Sequence, residues 1–116
     1  MPGIPVDWQH VENTIIGEGA NQKLQGMTAI AEVMRNRGWN LKGFVASRRV
    51  DLRQFVARQP AYVRHNAHKA VEAAKAGSNT VFGATHYENV EAFGLPKWAK
   101  GKTALAKIGA HTFWRL

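Results

Sequence analysis

With 116 residues, 45% of them hydrophobic and 21% charged, the chain is sized for a single domain with a real core and is unlike a disordered segment. No stretch approaches the roughly 20 apolar residues that a membrane span requires, and the lack of cysteine removes disulfides, thiol catalysis and thiolate metal sites. Sixteen Lys and Arg against eight Asp and Glu give a net charge of +8, which favours polyanionic partners and leaves nucleic acid and an acidic cell envelope equally open.

The opening run Met1-Pro2-Gly3-Ile4-Pro5 lacks the basic and apolar regions of a secretory signal. Cytoplasmic synthesis, export by another route, or excision from a longer protein is therefore expected. A first helix is predicted to start at Asp7, a good N-cap, with Val11, Ile15 and Trp8 on one face, and to end near Gly17. A second is predicted over Gln25–Arg37, where Met27, Ile30, Ala31 and Met34 recur at helical spacing and Gly38 supplies the stop. Leu41 to Arg58 is irregular, with a short helix around Leu52 to Val56 closed by Pro60. A third clear helix spans about Ala61 to Ala76, with Ala67, Ala70, Val71 and Ala74 as its apolar stripe and Gly77 after it. From Asn79 to Val90 the Thr, Val, Phe and Tyr content around Gly83 predicts short strands or a hairpin. The last segment, Thr103 to Leu116, is expected to return from helix to strand. The class is α+β, mainly α, with a small β-hairpin or sheet in one domain over residues 1–116.

Among the residues able to carry chemistry, Glu18 stands between Gly17 and Gly19, where absent side chains would let a bulky ligand approach the backbone. At a helix C-terminus, after Ile15 and Ile16, both the helix dipole and apolar neighbours disfavour a charged carboxylate, as a general acid requires. Glu88 is the second candidate. In strand geometry it shares a face with His86, while Thr85, Tyr87 and Asn89 take the other. His65 and His68 have the i, i+3 spacing of zinc ligands, but their cationic surroundings (Arg64, Lys69) favour a solvated helix face. No metal or cofactor is expected. Trp98, in a loop with Leu95-Pro96-Lys97, is the best candidate for a flat ligand platform, whereas Trp8, Trp39 and Trp114 are expected to pack in or near the core.

Six segments then occur in an order that resembles the cell-wall hydrolase family typified by spore-cortex-lytic enzymes. They are Ile16-Gly17-Glu18-Gly19-Ala20, Gly26 to Arg37 (GMTAIAEVMRNR), Gln54-Phe55, Gly83-Ala84-Thr85-His86-Tyr87, Pro96-Lys97-Trp98-Ala99, and Ile108 to Phe113 (IGAHTF). The resemblance covers about residues 11 to 116. It implies a lysozyme-like catalytic fold, with peptidoglycan glycan strands as substrate and cleavage between N-acetylmuramic acid and N-acetylglucosamine. Glu18 matches the family's catalytic glutamate. Lytic transglycosylase action, forming 1,6-anhydro ends, is the implied outcome; a hydrolytic muramidase using Glu18 with Glu88 is the alternative. Gln54, Thr85, His86, Tyr87, Trp98 and His111 become candidate glycan contacts.

Two departures from the family pattern occur: Gly19 precedes Ala20, and Glu88 replaces the Tyr or His that often follows GATHY. The Glu88-Asn89-Val90-Glu91-Ala92-Phe93-Gly94 version is similar to the phage and prophage branch, so phage-type release or virion delivery of a monomeric lysis enzyme is expected. Anionic envelope polymers are further expected partners. A nucleic-acid-binding module, for which no recognised motif is present, and a non-catalytic wall-binding module are the competing classes.

Overall fold

The computed structural model describes residues 5–116; the run Met1 to Ile4, read above for export features, lies outside the described residues. The elements in order are α1 (Trp8–Gly19), α2 (Leu24–Asn36), a 3-10 turn (Val45–Arg48), α3 (Leu52–Ala57), α4 (Ala61–Lys75), β1 (His86–Glu88), α5 (Val90–Phe93), a second 3-10 turn (Lys97–Ala99), β2 (Ala106–Ile108) and β3 (His111–Trp114). The α+β, mainly helical class is as expected.

The helix boundaries follow from capping chemistry. Asp7 caps α1, its carboxylate accepting from the His10 N–H at 3.1 Å. Helix α2 ends in a Schellman arrangement: Gly38 takes φ +68°, its N–H donates to the Arg35 carbonyl, and the Trp39 N–H reaches back to the Met34 carbonyl. Gly77 (φ +103°) ends α4 in the same way, with the Ser78 N–H on the Ala73 carbonyl.

Helix α2 is the central element, packed against α1 and α4. Its buried residues run from Gly26 to Met34 with Thr28 the one interruption, so it is buried nearly all round rather than along the single stripe its spacing predicts. Among them Glu32 is fully buried. Val11, Ile15 and Ile16 of α1 and Val63, Ala67, Ala70, Val71 and Ala74 of α4 complete the helical core.

Two expectations are corrected. The segment from Thr103 contains no helix: β2 and β3 form a two-residue hairpin around Gly109 (φ +58°) and Ala110. The stretch around residues 79–90 supplies only β1, which pairs with β3 and not with a local partner. The sheet order is β1-β3-β2, antiparallel throughout, with Tyr87 opposite Phe113 and Ala106 on its other side.

Candidate active site

Helix α1 continues through Gly17 and Glu18 to Gly19, two residues past its predicted end. Packing accounts for this. A Cβ on Gly17 would lie 2.7 Å from Ala46 Cβ and 2.9 Å from Leu52 Cδ1, and one on Gly19 would lie 2.9 Å from Ile30 Cδ1. The two glycines therefore admit the Val45–Arg48 turn, α3 and α2, not a ligand as their spacing suggested. The close approach aims Glu18 across the turn. Its Oε2 accepts from the Ala46 N–H at 3.1 Å, and its Oε1 accepts from the Tyr87 hydroxyl of β1.

Glu18 thus lies where helix, turn and sheet meet, in a cleft of about 310 Å³. The strand side of this cleft is His86, Tyr87, Glu88 and, beyond them, Trp98; the opposite side is Arg37, Phe44 and Val45. All three β1 side chains line it, although alternate strand residues point to opposite faces.

Tyr87 is held on three sides by rings: His111 at 4.9 Å, Phe113 at 5.6 Å and Phe44 at 6.2 Å between centroids. Burial first, then the Glu18 carboxylate, holds its phenol well above the ordinary value of 10, so it keeps its proton and remains a donor to Glu18. His86 accepts or donates with Thr85 Oγ1 through Nδ1 at 2.9 Å and lies 5.2 Å from Trp98. Burial, and then the Arg37 charge, lower its pKa. Trp98 is 36% exposed and braced edge-on by buried Trp114 at 5.2 Å, a flat face open to a ligand. Trp8 and Trp39 meet edge-to-face at 5.0 Å, partly buried against the core.

The remaining sequence candidates fall differently. Glu88 lines the cleft, with Oε2 on the Asn89 N–H at 3.2 Å. His111 sits behind Tyr87, outside the lining. Its buried Nδ1 has no hydrogen-bond partner among the described residues, and burial lowers its pKa against the opposing pull of Glu18 and Glu88. Thr85 is turned to the chain end, where its hydroxyl accepts from the Leu116 N–H at 3.0 Å. Gln54 is exposed on α3 and is not in the cleft lining. His68 pairs with Glu12 at 2.9 Å, which accounts for one of the two helical histidines without a metal.

Sequence reasoning missed Arg37, Phe44 and Val45 as cleft residues. It also missed the group that fixes the cleft from behind. Glu32 accepts from Ser78 Oγ, Thr80 Oγ1 and the buried Val81 N–H. Arg35 donates to the carbonyls of Ala74 and Ser78, and Asn36 Nδ2 to the carbonyl of Ala84. One turn of α2 thereby ties down the loop that delivers β1, and with it Tyr87.

The fold that carries this cleft has solved counterparts. The chain superposes on the catalytic domain of the germination-specific lytic transglycosylase SleB from Bacillus anthracis with a TM-score of 0.69 and 24% identity, covering 97% of this chain and 98% of that one. The fold is that of the SleB catalytic domain. The corresponding domain of the Bacillus cereus SleB protein gives a TM-score of 0.70 at 24% identity, over 97% of this chain and 93% of that one. No protein-family model matches the chain, and no curated protein does. No helix among the described residues is long and apolar enough to cross a membrane.

Proposed function

We propose that the protein cleaves the glycan strands of peptidoglycan between N-acetylmuramic acid and N-acetylglucosamine, with Glu18 as the general acid and then the general base. The observation that carries this reading is the placement of Glu18 in a cleft, with one carboxylate oxygen on the Ala46 N–H and the other on the Tyr87 hydroxyl. A carboxyl group held through both oxygens has little freedom left to lose when it meets the bond it would protonate. The shared fold with two SleB catalytic domains and the ordered sequence motifs support the same substrate class.

In the proposed reaction Glu18 gives its proton to the glycosidic oxygen as the bond from muramoyl C1 breaks and positive charge develops there. The muramoyl 6-hydroxyl then attacks C1, its proton passes to Glu18, and a 1,6-anhydro end forms. Atoms balance without water and without a second carboxylate. Glu88 in the same cleft favours one further reading, hydrolysis in which Glu88 positions water or stabilises the charge. Tyr87, His86 and Trp98, which line the cleft, would contact the sugar rings in this reading.

Digestion of purified peptidoglycan followed by mass analysis of the fragments tests the reading. Anhydro ends are the expected product; reducing ends alone assign the hydrolytic route, and intact strands reject both. Glu18→Gln is expected to lower turnover by at least about a hundredfold, in the range general acid–base catalysis contributes, and turnover at the wild-type level removes Glu18 from its role.

A further inference from the structure

The Glu18 cleft does not end at Glu18. On the side away from the sheet it opens into a hollow floored by Gly17 and Ala46 and walled by Arg48 and Arg49. Arg49 is shared with the next hollow, of about 420 Å³, which Gln9, Asn13, Val50 and Arg53 line. Gln9, Asn13 and Arg53 continue in turn into a third, reaching Arg64. These hollows adjoin one another through shared lining residues, in a row that leads from the candidate catalytic carboxylate along α1 and α3.

The two arms of this row differ in charge. The sheet arm is aromatic and carries Glu88. Along the other arm Arg48, Arg53 and Arg64 are all exposed, and none has a carboxylate within 4.0 Å among the described residues; Arg49 is the one paired, with Asp51. The acid in the lining, Asp7, is engaged in capping α1. The floor also offers amide groups. Asn13 is 8% exposed, its Oδ1 accepts from Gln9 Nε2 at 2.9 Å, and its Nδ2 makes no hydrogen bond among the described residues.

Arg64 donates to the Gln59 carbonyl at 2.7 Å, while Arg48 and Arg53 make no side-chain hydrogen bond among the described residues. Such guanidinium groups without a carboxylate partner, above a hydrogen-bonding floor, suit a short chain that carries carboxylates and backbone amides. We propose that this arm binds the acidic stem peptide attached to the muramoyl unit beside the scissile bond, so that the enzyme prefers peptide-bearing glycan. The proposal rests on the glycan-cleaving reading. Continuity with the cleft singles out this ligand: a peptide tethered to the sugar at Glu18 is presented to the arm at high effective concentration, which a free polyanion is not.

The test compares two substrates made from walls free of phosphate polymers, intact strands and the same strands stripped of peptide by an amidase. Wild type is expected to cleave the peptide-bearing strands faster. In the double variant Arg48→Glu/Arg53→Glu, whose side chains make no hydrogen bonds among the described residues, the ratio of the two rates is expected to fall about tenfold, as two exposed charge contacts reversed in sign would give. The neutral pair Arg48→Gln/Arg53→Gln should fall by about threefold on the same reasoning, and it serves as the readout if charge reversal impairs folding. Equal wild-type rates on the two substrates, or a loss shared equally by both, overturns the proposal. So does a charge-dependent preference that emerges only when wall phosphate polymers are restored, which makes them the occupant. Cleavage of neither substrate removes the glycan-cleaving reading itself.

Discussion

Gly17→Ala isolates the link between helix packing and the candidate acid. The position is inside α1, where replacing glycine by alanine ordinarily stabilises by about 0.5–1 kcal/mol. Here the added Cβ meets Ala46 Cβ at 2.7 Å and Leu52 Cδ1 at 2.9 Å. The leucine tip can rotate away, but Ala46 Cβ is fixed to its backbone. Ordinary van der Waals contact begins at 3.4 Å, so the Val45–Arg48 turn must recede by about 0.7 Å, a strain on the order of 1–3 kcal/mol. Net stability is then expected to fall by no more than about 2.5 kcal/mol, as propensity offsets part of the overpacking. Activity should respond as well. The receding turn carries the Ala46 N–H that holds Glu18 Oε2 at 3.1 Å. Loss of one hydrogen bond, about 0.5–1.5 kcal/mol, corresponds to a fall in kcat of roughly two- to tenfold. Turbidity loss of a cell-wall suspension gives the rate, and urea unfolding gives the stability. A variant that clears walls at the wild-type rate refutes the argument that this contact positions Glu18.

Tyr87→Phe keeps the ring stack but removes the donor to Glu18 Oε1; kcat is expected to fall about tenfold, with a loss in denaturant unfolding of about 0.5–1.5 kcal/mol, the net worth of one hydrogen bond. Unaltered kcat would remove the hydroxyl from the site. Glu32→Ala strands the buried Val81 N–H and empties a fully buried position, which should cost about 3–5 kcal/mol in denaturant unfolding; Glu32→Gln, able to face its oxygen to Val81 and its amide to the two hydroxyls, should cost only about 1–2 kcal/mol. A loss under about 1 kcal/mol in the alanine variant would show that loop 78–81 is not anchored there. The lowered pKa values of His86 and His111 mean that the unfolded chain binds more protons, so their contribution to stability is whole above about pH 6.5 and is lost as pH falls below it. His68, raised by Glu12, acts oppositely, stabilising below that pH and losing its effect as pH rises, although its exposure leaves this largely screened. Replacing His111 by Phe, which retains the ring and removes the unpartnered Nδ1, should raise stability and flatten the acid side of the profile measured by urea unfolding between pH 5 and 7.5; an unchanged slope assigns the acid sensitivity elsewhere.

The three long helices were legible in the sequence because their ends are written in local chemistry: Asp7, Gly38 and Gly77 sit where caps require them. Glu18 was legible as a candidate for a partly mistaken reason. Gly17 and Gly19 look like helix breakers, yet the helix passes through both, since tertiary packing against Ala46, Leu52 and Ile30 outweighs intrinsic propensity. The sheet was legible only in part. Strand β3 gains its backbone partners from β1, more than twenty residues earlier, and from β2, and nothing local in Thr103 to Leu105 announces that pairing. Phe44 and Val45 were invisible as cleft residues because the stretch around them has no periodicity to assign a face, and Arg37 because the apolar spacing of α2 marks only the core side of that helix.

Glu32, Arg35 and Asn36 explain how a cleft with so few regular elements can be held in register. None of Ser78, Thr80 and Ala84 lies in a helix or strand, and loops supported only by their own turns open easily. Here each is bonded to a side chain projecting from the most buried helix of the molecule. The motif around Glu32 therefore acts at a distance from Glu18: it sets where β1 begins, β1 sets where the Tyr87 hydroxyl lies, and that hydroxyl meets Glu18 from the sheet side. From the helix side the Gly17–Ala46 approach fixes the second oxygen. The two halves of the carboxylate are thus positioned by independent devices, one a polar network on α2 and the other a close apolar contact on α1. Damage to either should leave the other oxygen held, so Gly17→Ala and Tyr87→Phe combined are expected to lose more activity than either alone, with a coupling energy that departs from additivity because both contacts end on the one Glu18 carboxylate.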